Sequence, residues 1–145
     1  MKHLAVGVLL VTAIGCASAP SRPPSFGRAP ADLVGDFEDD YGNSFSISDT
    51  LFFQLPRVRY HIVEWNAAEQ YLIARNGEGN ASDAGLWTRI DWMPFSGMAP
   101  FNWGFCLTAY RAPSAAAARA TPAALRATPR TGCNGFPFSR MRRRQ

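Results

Sequence analysis

The sequence predicts a mainly β protein, a small antiparallel barrel or sandwich of about seven strands followed by short Ala-rich helices towards the C-terminus. Three observations carry that expectation. Between residues 32 and 112, short runs of alternating apolar and polar residues are separated by Gly, Pro and Asn at a spacing of roughly ten. Pro56, Pro94, Pro100 and Pro113 fall at the boundaries of those runs, where a missing backbone N–H does least harm to a ladder. Fifteen Phe, Trp and Tyr crowd the same segment, and at about 150 to 250 Å² per buried ring they supply enough surface for a sheet-lined core. The 145 residues, 47 % apolar and 18 % charged, allow one domain and exclude a disordered chain. No apolar run reaches the roughly 18 to 20 residues of a membrane-spanning helix.

Taken in order, strands are expected at Leu33–Glu38, Ser44–Ser48, Leu51–Leu55, Arg57–Trp65, Gln70–Arg75, Leu86–Met93 and Phe101–Tyr110. Asp40-Tyr41-Gly42-Asn43 provides the residues that tolerate positive φ between the first two, and Asn76-Gly77 opens a polar loop that ends at Gly85. In the last strand Phe101, Trp103, Phe105, Leu107 and Ala109 share one face by period two. Ser114–Ala120 and Ala123–Ala127 are Ala-rich and favour helix, with Thr121-Pro122 placed as N-cap and first-turn proline of the second. Neither has an apolar face of any size, so both are expected on the surface.

The N-terminus has the plan of a secretory signal: Lys2, then the apolar run Leu4–Ile14, then small residues before Cys16. Ala13-Ile14-Gly15-Cys16 resembles the bacterial lipobox, with Ala13 where Leu is usual. The resemblance implies a signal peptide over 1–15, a diacylglyceryl group on the Cys16 thiol, cleavage before that residue and acylation of the new amino group. Ala17, rather than Asp, after the cysteine implies an envelope protein sent to the outer membrane. Cleavage after Ala17-Ser18-Ala19, giving a periplasmic or secreted chain, is the alternative, disfavoured by Pro20 beyond the scissile bond. Residues 16–31 then comprise the acylated cysteine and a Pro-rich tether with four prolines, extended at about 3.1 Å per residue. Gly35-Asp36-Phe37 resembles the G-x-W that opens lipocalin-like barrels, Phe37 standing in place of the Trp.

With Cys16 given to lipid, Cys106 and Cys133 remain, and in an exported domain they are expected to form a disulfide that ties the basic tail, 113–145, to the β domain, 32–112. The β domain carries eleven acidic residues against five arginines, and the tail seven arginines and no acid. The tail therefore either folds against the acidic β domain or offers Arg140, Arg142, Arg143 and Arg144 to anionic lipid or cell-wall polymer, at about 1 kcal/mol per charge near a membrane. Nucleic acid is not an expected partner of an exported chain, and an envelope protein is.

For ligand recognition the candidates are Arg59, His61 and Trp65 on one strand and Trp87, Arg89 and Asp91 on another. Turned inwards together they would line one cavity. The alternation of Leu86, Thr88, Ile90 and Trp92 favours the opposite placement, with Arg89 and Asp91 on the outer side as an ion-pair ladder. Trp87, Phe95 and Trp103 are candidates for an exposed partner-binding patch, though most rings are needed in the core. No catalytic residue, metal site or cofactor is expected: Ser96 and Ser139 lack an activated-nucleophile context, His61 is the only histidine after the signal, and there is no C-x-x-C. These observations together point to a lipid-anchored envelope protein with a non-enzymatic binding or structural role, or alternatively to a small-ligand carrier with a lipocalin-like cavity.

Overall fold

A computed structural model describes residues 27–145. Cys16, the signal segment and residues 17–26 of the tether lie outside the described residues. The chain forms a closed antiparallel barrel of eight strands in sequence order: β1 (Gly35–Asp39), β2 (Ser44–Ile47), β3 (Leu51–Gln54), β4 (Val58–Asn66), β5 (Tyr71–Asn76), β6 (Trp87–Pro94), β7 (Trp103–Ala112) and β8 (Ser139–Arg143). One helix, α1 (Ala115–Ala120), follows β7.

The strands form where the alternation puts rings on one side. Phe37, Phe45, Phe52, Tyr60, Trp92, Trp103 and Phe105 are all buried in a single core cluster with Ile62, Leu72, Ile90 and Met141. The rings meet edge to face: Phe37 and Trp103 at 5.3 Å, Phe52 and Phe105 at 5.3 Å, Trp65 and Trp92 at 5.5 Å between centroids. Such pairs are each worth about 0.5 to 1.5 kcal/mol beyond the area they hide. They fill the barrel. The internal void beside Leu72 and Ile90 has a volume of about 10 Å³, room for no more than one water. The first turn closes as its residues require: the Asp39 carboxylate accepts from the backbone N–H groups of Tyr41 (2.9 Å) and Asn43 (2.8 Å), and Gly42 takes φ 83°.

Two features of the tail differ from the sequence expectation. Ser139–Arg143, expected within a basic extension, is the strand that closes the barrel, pairing Met141 with Asp39 of β1 and with Trp103 of β7. The second Ala-rich stretch is not helical. Its amides are drawn elsewhere: Leu125 N donates to the Gly132 carbonyl and Thr128 N to the Leu125 carbonyl, so residues 121–138 run as a belt of turns over the outside of the sheet. The disulfide between Cys106 and Cys133 is formed, with Cα atoms 5.5 Å apart, and fixes that belt to β7.

Beneath α1 and the belt lies a buried polar seam on the outer face of β4 to β7. Arg89 donates through Nε and Nη2 to both oxygens of Asp91, each at 3.0 Å. Asp91 also accepts from Arg126 Nη2 (3.0 Å) and from the Thr108 hydroxyl. The Arg89 guanidinium stacks 4.2 Å over the Tyr71 ring, and the Tyr71 hydroxyl donates to Glu64, which Arg119 of α1 grips. Arg142 reaches Glu38 of β1, and Arg140 reaches Asp40 in the turn that follows it. The basic tail therefore folds against the acidic sheet.

Candidate binding site at the barrel mouth

One recess left around the packed core opens at an end of the barrel, where β1 begins and β8 ends. Its volume is about 550 Å³, within the range of small-molecule sites, roughly 300 to 1,000 Å³. Three pieces of chain wall it. The first is the segment that leads into β1: a 3-10 turn at Ala31–Leu33, closed by Leu33 N donating to the Pro30 carbonyl at 2.9 Å, drops the Leu33 side chain into the top of the core. This segment is pinned to the barrel by Ala29 N on the Asp49 carboxylate, while the Trp65 indole donates to the Asp49 carbonyl at 2.7 Å. The second and third are the β4–β5 and β6–β7 connections, which contribute Gln70 and Asn102.

The floor is aromatic and sulfur-rich: Phe37, Trp92, Trp103 and Met141. Each arrives there by strand alternation, one residue beyond an outward neighbour. Trp103 is 5 % exposed, and its indole Nε1 is the one buried side-chain nitrogen or oxygen among the described residues that has no hydrogen-bond partner. An unpaired buried donor costs about 1 to 3 kcal/mol.

At the rim stands Arg143. On β8 it follows Met141 by two residues and so turns to the same side. Its guanidinium lies 5.0 Å over the Phe37 ring, and Nη1 donates to the Val34 carbonyl at 3.1 Å. Gly35 makes that possible. A Cβ there would sit 2.5 Å from Arg143 Nη1, and the φ of 133° is one that side-chain-bearing residues rarely adopt. Asp32, exposed on the 3-10 turn, is the other charged group of the rim.

The residues nominated from the sequence are not gathered here. Arg59 and His61 are exposed on the outer face of β4, Arg59 over the Phe53 ring at 4.2 Å. Trp65, placed with them by strict alternation, faces the interior, because a bulge between Ile62 and Glu64 shifts the phase of the strand. Trp87 packs on the outer face against Tyr71 and Ala118, and Arg89 and Asp91 lie in the covered seam, on the outer side but not in solvent. The six therefore line no common cavity. Of the four arginines, Arg140 and Arg142 point outwards to carboxylates, Arg143 turns to the mouth, and Arg144 is exposed beside it. The aromatic patch is corrected likewise: Trp103 is interior, Phe95 packs against the Cys106 and Phe138 cluster, and Trp87 belongs to the α1 contact. Among the described residues the exposed rings are Tyr41, Tyr110 and Phe136.

No group of three metal-ligating side chains occurs among the described residues, and none of their helices is long and apolar enough to cross a membrane. No family model matches the chain, and no curated protein or solved structure matches it significantly.

Proposed function

We propose that this chain is a non-enzymatic binding protein of the bacterial cell envelope, anchored by lipid on Cys16 and taking its ligand at the barrel mouth. The observation that supports this most directly is where the recess lies: residues 27–34 run into the barrel at the mouth, so a tether leading from Cys16 holds that end within reach of the bilayer. Two or more acyl chains give stable anchoring, about 0.8 kcal/mol per buried methylene. A filled interior with buried ion pairs outside it makes a rigid frame, and a rigid frame keeps a mouth cleft pre-formed.

A second reading, a carrier that encloses its ligand as lipocalin-like barrels do, has the closed antiparallel barrel in its favour. It requires the interior to open, since the void among the core rings is about 10 Å³.

Two measurements test the proposal. Detergent phase separation should recover the wild-type chain with the detergent and the Cys16→Ser chain in the aqueous phase; equal partitioning would remove the anchor. The neutral fluorophore N-phenyl-1-naphthylamine should bind saturably at one site per chain, and absence of saturable binding would remove the cleft.

A further inference from the structure

We infer that the mouth cleft selects an anionic amphiphile, a single apolar chain ending in a carboxylate or phosphate, with Arg143 as the residue that receives its head. The inference rests on the binding role proposed above and goes on to specify the ligand.

Two donors flank one ring. The indole of Trp103 meets Phe37 edge-on at 5.3 Å, and the guanidinium of Arg143 lies 5.0 Å over the same ring. Both side chains line the cleft. The indole N–H is buried as well as unpartnered, so its ring serves as wall, whereas of the five N–H groups of Arg143 one is used within the protein, on the Val34 carbonyl. An oxyanion at the rim would gain a charge-assisted bond in which both partners are ionised. A neutral alcohol could accept only the weaker bond from the guanidinium, and an ammonium head could accept none. A guanidinium matches carboxylate and phosphate oxygens better than a compact ammonium would, and Gly35, by leaving no Cβ, lets it lie over Phe37 rather than out in solvent.

Below the head the lining is mainly carbon and ring surface, from Pro30, Leu33, Phe37 and Trp92. The recess is open at its top and closed at its floor by the packed rings, which suits one short tail and not the two of an intact diacyl lipid. Asp32 opposes an anion from the other side of the rim. Its carboxylate weakens a head that carries only negative charge, which makes it a useful handle.

The test uses the full chain carrying Cys16→Ser, which leaves residues 27–145 unchanged, and reads displacement of bound N-phenyl-1-naphthylamine. Dodecanoate and dodecyl phosphate should displace the probe at concentrations about tenfold below dodecan-1-ol, the factor expected of a hydrogen bond to a charged group. Dodecyltrimethylammonium should compete no better than the alcohol. Arg143→Gln, a change at an exposed side chain, should bring the two anions down towards the alcohol, each ligand being compared with the alcohol in the same variant, and Asp32→Asn should tighten the anions relative to the alcohol. A better fit of the carboxylate or of the phosphate separates the two head chemistries. Equal displacement by alcohol and anions, or equal loss of both in Arg143→Gln, would overturn the inference while leaving the cleft in place. Displacement by inorganic phosphate alone would overturn it as well, since the apolar chain would then contribute nothing. Failure of the probe to bind the parent chain would instead count against the proposed binding role.

Discussion

Tyr60 sits among the core rings, 4 % exposed, and burial, reinforced by the Asp83 carboxylate, pushes its phenol from 10.0 up to about 12. The sign of the consequence follows from proton counts. Below pH 10 the phenol is protonated in both states and stability is unaffected. Between about pH 10 and 12 the unfolded chain loses the proton and the folded chain keeps it, so stability falls, by up to about 3 kcal/mol. Chemical denaturation of wild type and Tyr60→Phe at pH 8 and pH 11.5 should show similar stabilities at the lower pH and a smaller alkaline loss in the variant. Identical losses would place the alkaline titration elsewhere. At this scale the sequence was readable wherever alternation was unbroken: Ile90 and Trp92 inside, Arg89 and Asp91 outside. It misled at Trp65, because one inserted residue near Val63 reverses a period-two pattern and nothing in V-E-W marks the insertion. Arg143 was legible as a cation but not as a mouth residue, since its direction depends on β8 existing at all.

Among the elements, the belt over 121–138 shares with α1 the covering of buried charge. Arg126 reaches the carbonyls of Trp92, at 2.9 Å, and Gln70, at 2.7 Å, besides Asp91, and it can do so only while the belt is held down. Gly132 belongs to the same clasp: a Cβ there would run into the Leu125 carbonyl. Paired Cys106→Ser and Cys133→Ser should cost about 3 to 4 kcal/mol by the chain-entropy account for a link spanning 27 residues. Urea titration of oxidised and double-serine chains checks the magnitude, and hydrogen exchange should localise the earliest loosening to the belt. A uniform rise in exchange would mean that belt and barrel open together. From composition alone Ala123–Ala127, within the belt, reads as helix, because alanine favours helix when no tertiary partner competes, and here Arg126 and the turn amides find distant partners. β8 was hidden for a related reason. Ser139–Arg143 has one apolar residue, Met141, and a strand that buries a single side chain leaves no alternation to detect.

For the molecule as a whole, closure of the ring matters more than any one contact. β8 satisfies the edges of both β1 and β7, and Met141, fully buried, plugs the seam. A chain ending at Phe138 is expected to lose its cooperative unfolding transition and to associate through two bare edges. Size-exclusion chromatography and tryptophan emission against urea would read both effects, and a monomeric, cooperative product would show the closing strand to be dispensable. The seam also has a consequence in time. Arg140 and Asp40 are bonded across 100 residues of chain, so the earliest strand to leave the ribosome finds its second neighbour only after the last one has been made. Until then the polypeptide is an open ribbon, slow to finish because its final pairing is its most distant one, and for that interval the ribbon must be kept apart from others like it.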